Sequence, residues 1–119
     1  MTESRRTLSL KLSSNKDERI EQNAEALRQA INRHLCVRWS YNRVLMQVAP
    51  MILYRKHDDL HVDALVLEKH GAAPAEVKLA TFKLAGISNV AVTMEPITAT
   101  TMPDPADPRY AEGIDSIIA

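Results

Sequence analysis

Two hydrophobic periods divide the chain. Over "SSNKDERIEQNAEALRQAINRHL", Ile20, Ala24, Leu27, Ile31 and Leu35 recur at intervals of four, three, four and four, so they share one helical face. Ser14 or Asn15 is placed to accept from the free amides of the first turn, and Glu18 stands three after Asn15, as in a capping box. Asp17 and Glu18 suit the positive end of that helix; Arg33 and His34 suit the negative end. The apolar stripe is narrow, so the helix needs a sheet or a partner to lie on.

After Leu35 the period falls to two. In "CVRWSY", Val37, Trp39 and Tyr41 face one way and Cys36, Arg38 and Ser40 the other, which is a strand alternation. "NR" reads as a turn. "VLMQVAPMILYRK" is a long apolar strand holding Pro50, which removes a ladder donor and predicts a bend, a bulge or an edge there. "HDD" makes a hairpin turn. "LHVDALVLEK" is a third strand, "HGAAPAE" a loop, and "VKLATFKL" and "NVAVTM" two further strands joined through Gly86.

The two ends read differently. Leu8, Leu10 and Leu12 alternate in "TLSLKL", so residues 1–14 form either an edge strand or an arm. The tail "PITATTMPDPADPRYAEGIDSIIA" holds four of the six prolines and is extended where they cluster. "RYAEGIDSIIA" predicts a short closing helix with Tyr110, Ile114, Ile117 and Ile118 on its apolar side and Gly113 weakening it. Strands joined by short turns pair antiparallel, and five of them can curl into a small barrel that removes most of the exposed edge. The expected fold is mainly β with α: an N-terminal helix followed by a five-stranded antiparallel barrel. An N-terminal arm or edge strand (1–14), a helix-plus-barrel domain (15–95) and a Pro-rich C-terminal tail (96–119) make up the expected organisation.

Composition narrows the class without naming a function. A chain of 119 residues, 45% hydrophobic, forms a core as one domain without disulfides. Lys plus Arg and Asp plus Glu number 15 each, so bulk charge announces no polyanionic partner. The halves differ mildly: residues 1–62 carry 11 basic and 7 acidic side chains, residues 63–119 carry 4 and 8. Cys36 is the single cysteine and gives no sign of an oxidising compartment. No run approaches the roughly 18 apolar residues of a membrane span, and the start has basic residues without an apolar h-region. The expectation is a cytoplasmic chain with no membrane partner.

Candidate chemistry is sparse. His57 and His61 flank Asp58 and Asp59, but this stretch reads as turn and strand, and a zinc site wants three or four convergent ligands. They are expected to be solvated hairpin residues, with no metal and no cofactor. Cys36 abuts a helix C-terminus, which disfavours a thiolate, and has no fixed partner. The three glycines are scattered and build no phosphate loop. No catalytic residue is assigned, and the chain is not expected to be an enzyme. Asp63 interrupts an apolar strand; if buried it requires a cationic or hydrogen-bonding partner, for which Arg38 and Lys83 are the candidates. Arg38, Arg43, Arg55, Lys56 and Lys83 are interleaved with Trp39, Tyr41, Tyr54 and Phe82, a mixture that can stack bases and hold phosphates. The alternation equally lets Trp39 and Phe82 be core. Lys83 faces away from Phe82 and Leu84, either as a solvated edge charge or as a ligand contact.

The pieces "AINRHLCVRWSY", "VAPMILYRKHDDLHVDALVLEK" and "LATFKLAGISNVAV" resemble the WYL domain, an Sm-like, SH3-type barrel found mostly in bacterial regulators. The resemblance runs from about Ala30 to the tail. Leu60, His61 and Val62 stand where the family has its Trp, Tyr and Leu. In the family's last arginine-rich strand motif, Thr81, Phe82, Leu84 and Ile87 hold, while Ala80, Lys83 and Gly86 stand at its three arginines. The resemblance implies a regulatory module that senses a nucleic acid or nucleotide-like effector. Together with the cation–aromatic pattern it points to ligand contacts at Lys83, Tyr41, His61, Arg38, Arg43 and Arg55, and to single-stranded nucleic acid or a nucleotide as partner. In the family the domain usually follows a winged helix-turn-helix; no such helix pair precedes Ala30, so a transcription factor acting alone is not expected. The lost arginines leave a second reading, a protein–protein interaction module with a vestigial pocket and a regulatory protein as partner. A narrow helix stripe, a long apolar strand and an Ile-rich tail exceed what so small a barrel covers, so a homodimer is expected.

Overall fold

A computed structural model describes residues 2–98 and 101–119, with side chains described from Lys16 onward. Helix α1 spans Thr2–Arg33 and precedes six strands: β1 Leu35–Tyr41, β2 Val44–Lys56, β3 Asp59–Lys69, β4 Leu79–Lys83, β5 Ile87–Pro96 and β6 Ile114–Ile117. The strands form one antiparallel sheet in the order β4-β3-β2-β1-β5, with β6 added beside β2. The expected mainly-β fold with a leading helix is therefore observed. β4 and β5 make no ladder with each other.

α1 lays the expected stripe on the sheet. Ala24, Leu27 and Ile31 are fully buried and Ile20 half-buried. The helix begins earlier than the Ser14–Asn15 cap, so the backbone of "TLSLKL" is helical and the edge-strand alternative for it is not realised. Three alternating leucines are too short a signal to overrule the helix-forming Arg, Lys and Leu around them. His34 ends the helix in left-handed backbone at φ 57°, and its carbonyl accepts from Ile97 N–H at 2.7 Å, pinning the end of β5.

β2 organises the sheet. Its first half pairs with β1 through Val37↔Val48, its second half pairs with β6 from Ile52, and β3 runs along nearly its whole length. Pro50 falls between the halves that pair with β1 and with β6; it lies opposite Ala64 of β3, and the β3 register shifts between Pro50 and Ile52. Both faces of β2 are covered, so Met46 to Tyr54 are all buried. One face joins α1, Val37, Trp39, Phe82 and Leu84 in the main core. The other puts Ile52 and Tyr54 under Tyr110 and Ile117 of the tail.

The tail departs from expectation. One 3-10 turn, Pro108–Tyr110, is capped by Asp107, whose side chain accepts from Arg109 N–H, and β6 follows it. Gly113 sits at φ 130°, which ends any helix. The β-branched Ile114 and Ile117 then pair with β2 at Tyr54 and Ile52, where a free ladder was waiting. Among the described residues, no helix is long and apolar enough to cross a membrane.

Candidate functional site

The sheet disperses the residues marked by sequence. Lys83 closes β4 opposite His61. Its Nζ lies 3.1 Å from Asp59 Oδ2, with both side chains about half exposed, a solvated pair of a kind worth about 0–1 kcal/mol. His61 stacks on Tyr54 with ring centroids 5.9 Å apart. Arg55 donates its backbone N–H to Gly113 O at 2.9 Å and is exposed. Arg38 Nε donates to Gln47 Oε1 at 3.4 Å, and Gln47 Nε2 donates to Glu95. Arg43 stands in the β1–β2 turn, just after Tyr41. His61 and Lys83 are thus neighbours, as are Tyr41 and Arg43, while no single hollow gathers all six. His57 and Asp58 form the β2–β3 turn, both exposed and both in left-handed backbone.

Tyr41 leaves no room for a side chain at position 86. Its ring meets Phe82 edge-on at 5.0 Å, and a Cβ at Gly86 would lie 2.8 Å from Tyr41 Cε1. Any residue with a Cβ at position 86 would have to displace this ring.

Asp63 is fully buried on β3, but neither Arg38 nor Lys83 is its partner. Asp63 Oδ1 accepts from Tyr54 Oη at 2.7 Å and Thr81 Oγ1 at 2.7 Å; Oδ2 accepts from Tyr110 Oη at 2.6 Å. Arg109 Nη1 approaches Oδ2 at 3.6 Å. Burial, and then the bond to Asp63, pushes the Tyr54 hydroxyl up to about 12 and raises that of Tyr110 as well. The expected partners are hydrogen-bonding ones, and β4 and the tail deliver these hydroxyls, Thr81 by register and Tyr110 from 47 residues away. Farther along the tail, Arg28 Nε and Nη2 donate to the two oxygens of Asp115 at 2.8 and 3.0 Å, tying β6 to α1.

Between α1, the β1–β2 turn and the link from β4 to β5 lies a cavity of about 490 Å³. α1 contributes Lys16, Arg19, Ile20 and Asn23, which fall on one face at helical spacing. Asn42 and Arg43 contribute a two-residue hairpin turn with φ 49° and 67°. Left-handed backbone is natural for Asn and costly for Arg. Leu84 and Ile87 are buried beneath the hollow and Ile20 is half-buried beside them, which makes an apolar floor. Asn23 Nδ2 donates to Ile87 O at 3.2 Å and fixes the helix over that floor. Ser88 and Asn89 complete the wall. Lys16, Arg19 and Arg43 are exposed at its rim, and among the described residues no acidic side chain lines it. Among the described residues, none of the three is in an ion pair. Three cations around one hollow with no carboxylate concentrate anions there.

No known protein family, no curated protein and no solved structure matches the chain. Sequence reasoning marks Arg43 at this hollow but misses Lys16, Arg19 and Asn23. The available signal was their spacing of zero, three and seven along the helix, next to Ile20 of the buried stripe.

Proposed function

We propose that the chain is a non-enzymatic regulatory module of the WYL type, built as an Sm-like, SH3-type barrel, that binds a phosphate-bearing ligand such as a nucleotide or nucleic acid. Two geometric facts support the barrel. β4 and β5 stand at the two ends of the strand order, yet only Leu84–Gly86 link them. Four residue steps span at most about 14 Å, whereas the edges of a flat five-stranded sheet lie about 19 Å apart, so the sheet must curl. The Trp39 and Tyr41 rings of β1 meet Phe82 of β4 at 5.1 and 5.0 Å across that curl.

The observation that carries the ligand is the acid-free hollow rimmed by Lys16, Arg19 and Arg43. The non-enzymatic reading draws on Cys36, whose thiol is raised by burial and then by Glu95, the reverse of an activated nucleophile. Fluorescence anisotropy with short single-stranded RNA and DNA and a labelled nucleotide, at low and moderate salt, tests the proposal. Binding is expected to fall steeply with salt, to weaken in Arg43→Gln, and to be nearly indifferent to Lys83→Ala, whose charge already faces Asp59. An absence of binding at low salt would leave the second reading, a protein-interaction module. That reading draws on β5, an edge strand with Val92 39% and Met94 92% exposed. It requires a dimer in sedimentation at micromolar concentration, or capture of a protein partner through β5.

A further inference from the structure

We infer that the cationic hollow takes a small phosphate monoester with a flat or apolar body, of mononucleotide size, and not a nucleic-acid strand. The inference rests on the phosphate-binding reading of that hollow and narrows its ligand class.

The hollow has the dimensions of a small-molecule site. Its volume of about 490 Å³ lies in the range of small-molecule pockets. Its chemistry is divided: cations at the rim, an apolar floor of Ile20, Leu84 and Ile87, and neutral amides between. Such a division suits a molecule with one anionic end and one apolar or planar end.

Proteins that track single strands stack successive bases on exposed rings. The chain has five aromatic residues, and Trp39, Tyr54, Phe82 and Tyr110 are all buried. Tyr41 is half-buried, wedged between Phe82 and Gly86. No ring is left as a platform.

A strand needs cations spaced along its backbone. Arg38 turns to Gln47, Lys83 to Asp59, and Arg28 to Glu21, Glu25 and Asp115. On α1, exposed Asp17, Glu18 and Glu21 flank the positions that line the hollow. Among the described residues, a backbone leaving the hollow past this stretch of the helix would meet carboxylates. A terminal phosphate carries close to two negative charges above a second pKa of about 6, which suits three convergent cations better than a diester's single charge.

The test is calorimetric titration of the full chain with a nucleoside 5′-monophosphate, the unphosphorylated nucleoside, inorganic phosphate, and a short single-stranded oligonucleotide with hydroxyl ends. The monophosphate is expected to bind one per chain, at least tenfold tighter than any of the other three, and to tighten as pH rises through about 6. Arg43→Gln and Arg19→Gln, each checked for an unchanged circular-dichroism spectrum, are expected to weaken it at least tenfold. An oligonucleotide that binds tighter than the monophosphate, with the same dependence on Arg43, would overturn this inference and leave the broader phosphate-binding proposal standing. Inorganic phosphate or nucleoside binding as tightly as the monophosphate would also overturn it. No binding of any probe, or binding indifferent to both substitutions, would overturn the two together.

Discussion

Asp63→Ala is the substitution with the largest expected effect outside the apolar core. It removes the acceptor shared by Tyr54, Thr81 and Tyr110. Thr81 is an exposed residue, so its hydroxyl can turn to water; Tyr54 and Tyr110 are 1% and 4% exposed and cannot. Two buried hydroxyls left unsatisfied cost about 1–3 kcal/mol each, so a loss of about 4 kcal/mol is expected. That is a large share of a typical domain stability of about 5–15 kcal/mol. Urea denaturation followed by circular dichroism measures it. Tyr110→Phe alone should cost about 1.5–3 kcal/mol, as for a hydrogen bond to a charged group. It should cost much less once Asp63 is already Ala, a coupling that a double-mutant cycle reads directly. Hydrogen exchange gives a local check. Ile118 donates its N–H to Met51 O, and in Tyr110→Phe this amide should exchange faster while those of β3 hold. A loss under about 1 kcal/mol in Asp63→Ala, or an undiminished Tyr110→Phe effect in that background, would refute the view of Asp63 as the anchor of the tail.

Gly86→Ala is expected to cost about 1–3 kcal/mol by overpacking, because the new Cβ meets the wedged Tyr41 ring at 2.8 Å; thermal melts check it, and an unchanged midpoint would show that the ring yields freely. The Asp115 carboxyl is held below the usual range, first by its hydrogen bond from Arg28. A lowered folded pKa gives stability that is present above the unfolded value of about 3.9 and is lost as pH falls through the folded value. Asp115→Asn should therefore destabilise at pH 7 and make little difference at about pH 2, and an equal cost at both would show that the ion pair is idle. Cys36 is 1% exposed with its thiol raised, so iodoacetamide at neutral pH should label it only on unfolding; rapid labelling of the folded chain would contradict that reading.

The strands were the legible part of the sequence, for a physical reason. Alternation over β1 and the start of β3, and continuous apolarity over β2, follow from how each strand is covered, and their ends fall within a residue of the expected bounds. Pro50 announced the register shift in β2 because a missing donor acts locally. The tail was misread because "RYAEGIDSIIA" is ambiguous alone: its isoleucines fit a helix face or a strand, and the choice was made by the free ladder at Ile52–Tyr54, which no local pattern displays. Asp63 shows the same limit. Its need for a partner could be read from one apolar strand with an acid inside it, but the partner came from the far end of the chain.

The candidate site was the least legible feature, since three separate segments assemble it and each is bland by itself. "NR" is a turn, Lys16 and Arg19 are two charges on a helix, and Gly86 looks like a lost arginine. Their meeting gives Gly86 another meaning on the WYL-like reading. Gly86 lines the hollow on one side and backs onto the Tyr41 ring on the other. Positive charge cannot be carried at that position while the ring occupies the space of its Cβ. The same hollow receives it instead from Arg43, two residues beyond Tyr41, and from α1 across the gap. Placing an arginine there with Gly86→Arg should therefore not strengthen phosphate binding. It should displace Tyr41, lower the melting temperature and disturb the floor at Leu84 and Ile87, and calorimetry on the folded fraction should show weaker binding. Tighter binding with unchanged stability would mean that charge at position 86, and not the Lys16–Arg19–Arg43 rim, governs the site.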